Sequence, residues 1–308
     1  MKSGAQKSLV VVGSVAIDWV ITPHAEREVS VGGSAVYFSM AASYHAPVQL
    51  VGVVGRDFPK SAISDLELAG VDLEGLESVS DGLTFRWKGR YHEDVNRRDT
   101  LETHLNCFET FAPKLPEPYQ QSEYLFLANI QPRLQASVLE QMHKRPRFVG
   151  LDTMNLWIDI ASDDLKLVLS RIDLLVVNQE EALQLAGVSS LAKAGRELQK
   201  MGPRWVVVKR GEYGALLLGP DGACFAVPAL LLDDVVDPTG AGDCFAGGMM
   251  GHLAGCDRID EGALRQGVLW GSAMASFCIQ GFSYDRLRDL SRAALAQRFD
   301  AIGRMMRI

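Results

Sequence analysis

Six short apolar runs recur along this chain of 308 residues, at 9–12, 48–54, 124–128, 148–151, 174–177 and 205–209. Each is rich in Val and Leu and gives way to a glycine or a polar residue. A strand without polar alternation has to be covered on both faces. Stretches with helical character lie between the runs, from Ser34 onward and at 60–69, 132–144, 179–186 and 190–201. Further helices are expected at 244–253, 260–279 and 285–300. Strands separated by helices build a parallel sheet between two helical layers. Residues 215–218 and 223–227 flank Pro220-Asp221-Gly222, a turn signal, and predict a hairpin instead. With no repeat or linker in the pattern, residues 1–308 are expected to form one α/β domain.

Residues 82–112 break this rhythm. From Thr84 to Tyr91, apolar or aromatic side chains alternate with basic ones, the period of a half-exposed strand. The chain then stays polar to Thr103. A small antiparallel sheet joining 82–112 to 18–31 is expected. Long aromatic loops beside a reactive centre serve as covers, so this sheet reads as a lid. The alternative is a solvated hairpin that touches nothing.

In open α/β sheets, ligands gather at the carboxyl ends of the strands. Asp18, Asn129, Asp152, Asn155 and Asn178 all fall at such ends. The most informative stretch is 235–248, VVDPTGAGDCFAGG. An apolar run ends at Val236, a glycine-rich turn follows, and a helix begins. Gly240 and Gly242 let backbone N–H groups turn toward one point. The first N–H groups of a helix lack internal partners, and its dipole favours negative charge. Gly240, Ala241 and Gly242 thus predict an anion hole with the Asp243 carboxylate at its mouth. Such a group can take a proton from a hydroxyl while the N–H groups hold a transferring phosphoryl. An ordinary first-turn aspartate beside a turn glycine is the plainer reading.

Composition narrows the partners. Net charge is −7, against a general nucleic-acid binder, although a local pocket can still hold a small anion. Five cysteines without a C-x-x-C suit free thiols in a reducing compartment. Cys244 is either a reactive thiol or a small packing residue. The amino terminus lacks a leader-like apolar core and no run approaches a membrane span, so a cytoplasmic protein is expected. Several chemistries are absent: there is no P-loop, no dinucleotide fingerprint, no H-E-x-x-H and no G-x-S-x-G.

The 235–248 stretch resembles the signature of the ribokinase (PfkB) carbohydrate kinase family, Asp-Thr-x-Gly-Ala-Gly-Asp, with Pro238 in place of the usual Thr. The likeness covers essentially the whole chain. It implies a ribokinase-like three-layer α/β domain with a mostly parallel sheet and a small β-sheet lid. It also implies ATP-dependent transfer of the γ-phosphoryl to a hydroxymethyl of a sugar or nucleoside, with Asp243 as base. A non-catalytic sugar or nucleotide sensor of the same fold is the alternative. Asn178-Gln179-Glu180-Glu181 matches the family's Asn-x-x-Glu. That match puts Asn178 by the phosphates and Glu181 in the outer shell of Mg²⁺, with an exposed first-turn acid as the other reading. Lys209-Arg210-Gly211 aligns with Thr-x-Gly in the nucleotide site, and Lys209 either meets a phosphate or is merely solvated. Thr239, Gly211 and Cys278 are implied on the nucleotide side. A monovalent cation is admitted as a further cofactor, and the lid is a surface through which members dimerise.

At the acceptor end, Asp18 matches the sugar-hydroxyl-binding Asp, although a loop-capping role would also account for it. Gly32 and Gly33 match a Gly-Gly motif, and Asn129 closes its strand. Two positions depart from ribokinase: Ala16 and Tyr37 each replace an Asn. Fewer polar groups and more flat apolar surface, with Trp87 and Tyr91 adding to it, favour a ring over an extra sugar hydroxyl. A nucleoside phosphorylated at its 5′-hydroxyl is therefore at least as well matched as free ribose or fructose.

Overall fold

The computed structural model describes residues 7–307; most of the stretch searched for a leader, residues 1–6, lies outside the described residues. The chain opens with β1 (Leu9–Val12), β2 (Ala16–Ile21), β3 (Glu26–Gly32), α1 (Ser34–Ala42), β4 (Val48–Gly55), α2 (Lys60–Leu68) and β5 (Val71–Val79). It continues through β6 (Phe85–Tyr91), β7 (Arg98–His104), β8 (Tyr124–Leu127), α3 (Pro132–Gln141), β9 (Phe148–Asp152), α4 (Asn155–Ile160) and α5 (Ser162–Leu169). Then come β10 (Leu174–Asn178), α6 (Gln179–Ala186), α7 (Leu191–Lys200), β11 (Trp205–Lys209), β12 (Ala215–Leu218) and β13 (Cys224–Val227). Four helices close the chain: α8 (Ala241–Gly255), α9 (Glu261–Cys278), α10 (Asp285–Arg288) and α11 (Arg292–Met305).

Nine strands form the large sheet in the order β13-β12-β11-β10-β9-β8-β1-β4-β5. Pairing is parallel from β5 to β11 and antiparallel through the final hairpin. All six apolar runs are strands of this sheet. Their side chains divide by parity, as the period of two requires. Leu9 and Val11 join one core with α1, α8 and α9, while Val10 and Val12 join the other with α3, α5 and α6. Small residues bring α8 against α1: a Cβ at Gly247 would stand 2.3 Å from Phe38 O, and one at Gly251 2.7 Å from Ala42 O. That close approach fixes where α8 begins, and so where the anion turn sits.

The small sheet has the order β3-β2-β6-β7. It is mixed, where an antiparallel sheet was expected: β2–β3 and β6–β7 pair antiparallel, but β2 and β6 run parallel. The reason is topological. After β3 the chain returns to the large sheet through α1, β4, α2 and β5, and so re-enters in the same direction. Strand β7 ends at His104, and Cys107 and Phe111 rejoin the core. Three elements were not foreseen. Strand β5 lies at an edge and is half exposed, so it never shows an unbroken apolar run. Helices α4 and α5 are short. The helix expected at 285–300 is two helices, because Ser291 caps a new start by accepting from Ala294 N at 3.1 Å. Among the described residues, no helix is long and apolar enough to cross a membrane.

Candidate active site

The anion turn follows from local rules. Asp237 is fully buried, and its Oδ1 accepts from Thr239 N at 2.8 Å, closing an Asx-type turn. Gly240 caps α8 in the left-handed region with φ 75°, where a β-carbon is penalised. Its backbone lies on the Tyr37 ring, whose atoms a Cβ would meet at 2.3 Å. Ala241 N bonds back to Pro238 O at 3.2 Å, so it is not free for an anion. Among the described residues, no backbone acceptor meets the N–H of Gly242 or Asp243. These two remain directed outward at the positive end of a 15-residue helix.

Under the turn sits a compact group of charges. Lys209 Nζ lies 3.5 Å from Asp152 Oδ2, with both side chains largely buried. A Cβ at Gly242 would stand 2.7 Å from that ammonium, so the turn lies directly over the lysine tip. Burial alone would lower the Lys209 pKa, but Asp152, Glu181 and Asp243 together hold it above its ordinary value. Burial pushes Asp243 up to about 7, Asp152 adds to the rise, and Lys209 and Arg98 oppose it. A carboxyl poised there suits a general base near neutrality. The lysine is thus enclosed by carboxylates beneath the turn, where a solvated charge was the alternative.

Asn178 and Glu181 form a capping box at the start of α6. Glu181 N donates to Asn178 Oδ1, and Asn178 N donates to Glu181 Oε2, both at 2.8 Å. Glu181 is buried, not an exposed first-turn acid, and burial raises it to about 7. Cross-strand register places Asn178 opposite Lys209, so the box and the charge cluster share one sheet end.

At the other end of the cleft, Asp18 is 4 % exposed and lies against Gly32, whose Cβ would overlap its carboxylate. Burial, followed by Asp237 and Asp243, pushes Asp18 up to about 8. Gly33 packs on Ser14 O with φ 95°, next to paired Ser14 and Ser34 hydroxyls at 3.1 Å. Asn129 Oδ1 accepts from Trp157 Nε1 at 2.9 Å, which sets a half-buried indole beside it.

Two assignments are corrected. Tyr37 is 1 % exposed beneath Gly240, so it supports the turn and offers no face to a substrate ring. Cys278 is likewise buried, and its Sγ donates to Thr239 O at 3.5 Å, so it supports the turn and offers no exposed surface to a nucleotide. Cys244 donates to Tyr37 O and is fully buried, the packing residue of the two readings.

The small sheet reaches this centre directly. Thr239 Oγ1 donates to Tyr91 Oη at 3.2 Å. A Cβ at Gly211 would stand 2.3 Å from Asn96 Oδ1, so the β6–β7 turn touches the nucleotide-side loop. Arg98, opposite Tyr91 across that hairpin, lies near enough to Tyr91, Glu181 and Asp243 for each to raise its pKa. Sequence reasoning passed over Arg98, Asn96 and Asp237. The alternation of basic residues with aromatics runs only from Thr84 to Tyr91, and Arg98 lies beyond it in the polar stretch.

Residues 6–285 match the pfkB family carbohydrate kinase description. A cytidine kinase of Thermococcus kodakarensis is 33% identical over 254 residues, 81% of this chain and 88% of that protein. The nucleoside kinase of Methanocaldococcus jannaschii superposes with a TM-score of 0.76 at 17% identity, covering 97% of this chain and all (100%) of that one. Arabidopsis thaliana ribokinase, in complex with ribose and ATP, gives a TM-score of 0.77 at 19% identity over 96% and 99% of the two chains. The last two likenesses speak to the fold alone; the named relatives are kinases, which favours turnover over a binding-only role. The chain belongs to the pfkB family of carbohydrate kinases, and its reaction is ATP-dependent phosphoryl transfer to an alcohol of a sugar or nucleoside.

Proposed function

We propose that this chain is a nucleoside kinase, phosphorylating the 5′-hydroxyl of a ribonucleoside of the cytidine type. One observation carries the reading. Asp243, matched to the base, lies near enough to Asp18, matched to sugar-hydroxyl recognition, to raise the pKa of Asp18. A single ribose bridges two such carboxylates, its diol on Asp18 and its hydroxymethyl on Asp243. The flat surface for a base comes from the half-buried rings of Trp157 and Trp87, since Tyr37 is covered. The similarity to a cytidine kinase supports the same class.

In this reading Asp243 accepts the hydroxyl proton, and the Gly242 and Asp243 N–H groups meet the charge on the transferring phosphoryl. Lys209 and Arg98 hold the phosphates from below and above. Positioning and electrostatics then carry the rate. The small sheet, residues 18–31 with 82–112, acts as the lid within one domain spanning 1–308.

ATP and a divalent cation are the cofactors. The residues fit magnesium: one oxygen of Glu181 is spent on the cap, and Oε1 has no partner among the described residues. Asn178 and Glu181 would support the water shell of a magnesium that, when bound, offsets phosphate charge. Asp237 Oδ2 is buried without a hydrogen-bond partner, an acceptor suited to a monovalent cation. Strand β7 is exposed along its length, and apart from Arg98 it is the surface through which a homodimer would form.

The test compares kcat/KM for cytidine, adenosine, guanosine and inosine with ribose, fructose and 2-keto-3-deoxygluconate. A nucleoside should lead. A free sugar ahead of every nucleoside by more than tenfold, about 1.4 kcal/mol of transition-state discrimination, overturns the nucleoside reading and leaves the sugar kinase.

A further inference from the structure

The strands that end at the active site also begin at a second feature. Asp152, Asn178 and Lys209 are the last residues of β9, β10 and β11. Below the first residues of the same strands lies a cavity of about 360 Å³. Arg147, Arg204 and Arg258 line it, together with Phe148, Trp205 and Asp173. A neighbouring cavity of about 560 Å³ shares Arg204 and Trp205 with the first and extends the space along the β12–β13 turn.

The charges there are unbalanced. Among the described residues, none of the three arginines has a carboxylate within ion-pair distance. Arg147 spends a donor on Asp257 O, a neutral carbonyl. Three of the four acids that border the two cavities are engaged elsewhere; the fourth, Asp221, lines only the second cavity, on the β12–β13 turn. Asp173 accepts from Arg145 at 2.9 Å and from Val149 N at 2.8 Å. Asp260 caps α9 through Ala263 N at 3.0 Å, and Glu261 pairs with Arg265. Three exposed arginines lining one concavity, on a chain of net charge −7, are not placed by a general attraction to anions. Planar forks of this kind match phosphate oxygens two at a time. The Trp205 and Phe148 rings supply an apolar wall beside them.

We propose that this cavity is a second ligand site, separate from the catalytic cleft, that binds a small phosphate-bearing anion of up to mononucleotide size. Strands of five residues separate the two sites by roughly 15 Å. An anion held there would tie the β9, β10 and β11 amino ends to the α8–α9 loop.

The experiment is calorimetric titration of the full chain at low salt, without ATP or Mg²⁺. Pyrophosphate, inorganic phosphate and cytidine monophosphate are the probes. Wild type should show a binding phase for at least one probe that R204E/R258E weakens tenfold or more. The melting temperature and kinase turnover of that variant should stay unchanged, because neither arginine belongs to the catalytic cleft. The same phase should persist in D243N. Should the double charge reversal fail to fold, R258Q provides the test on an exposed loop residue. Absence of binding by all three probes in wild type, or a variant isotherm that matches wild type, overturns the proposal. Absence of turnover in wild type beside a normal anion-binding phase would count against the kinase reading and not against this site.

Discussion

Thr239 Oγ1 donates to Tyr91 Oη at 3.2 Å, joining the anion turn to the small sheet through one hydrogen bond. The contact ties β6 to the turn, so the small sheet and the anion turn are joined before any ligand binds. Removing the hydroxyl by Y91F should loosen this latch. Phosphoryl transfer depends on a water-excluded site, so kcat should fall several-fold with a smaller change in nucleotide binding. Hydrogen exchange at 85–91 and 98–104 should slow on substrate binding in wild type and less so in Y91F. Equal protection in both proteins would remove the latch from closure.

Asp243→Asn should abolish transfer while leaving nucleotide affinity nearly intact. Loss of a general base costs on the order of 10²–10⁴ in rate. Single-turnover kinetics beside equilibrium nucleotide binding separate the two effects. Turnover like wild type would exclude Asp243 as the base.

The same residue sets the pH profile. Burial raises Asp243 to about 7, and only its ionised form can accept a proton. The kcat/KM of the enzyme should therefore drop about tenfold per pH unit on the acid side of that value, the behaviour of a single essential base. A profile flat from pH 8 to 5.5 contradicts this.

Asp18 should lower the stability of the ligand-free protein above neutrality. Its folded value of about 8 exceeds the ordinary 3.8, so between those values the native state holds a proton that the unfolded chain has released. Stability contributed this way is present at low pH and is lost as pH rises through the window. D18N removes the ionisation. Its melting temperature should exceed that of wild type at pH 8 by about 2–4 °C or more, with the gap closing toward pH 4, and its activity should be lost. A melting difference that does not vary with pH would show that Asp18 does not titrate there.

Glu181 carries two roles that substitution can part. E181A loses the capping box and the carboxylate, whereas E181Q keeps an acceptor for Asn178 N and loses only the charge. E181A should cost about 1 kcal/mol of stability, and E181Q much less. Both should raise the Mg²⁺ concentration for half-maximal activity. A wild-type Mg²⁺ titration in E181Q would leave Glu181 as a helix cap alone.

The sequence by itself determined the layers of this protein and the start of α8. Unbroken apolar runs admit only strands covered on both faces, and Gly240 and Gly242 before a helix admit an outward-facing turn. These are local constraints that hold wherever the segments pack. What tertiary structure decided is what meets across the sheet end. Tyr37 looks like a binding aromatic in the sequence, but the approach of α8 to α1 buries it under Gly240. Lys209 could have been a solvated charge, and the register of β9, β10 and β11 encloses it with Asp152 and Glu181 instead. Arg98 carries no motif; the crossover that makes the small sheet mixed brings β7 over Asp243. Contacts between segments far apart in the chain depend on packing and crossover, and neither leaves a local pattern to read.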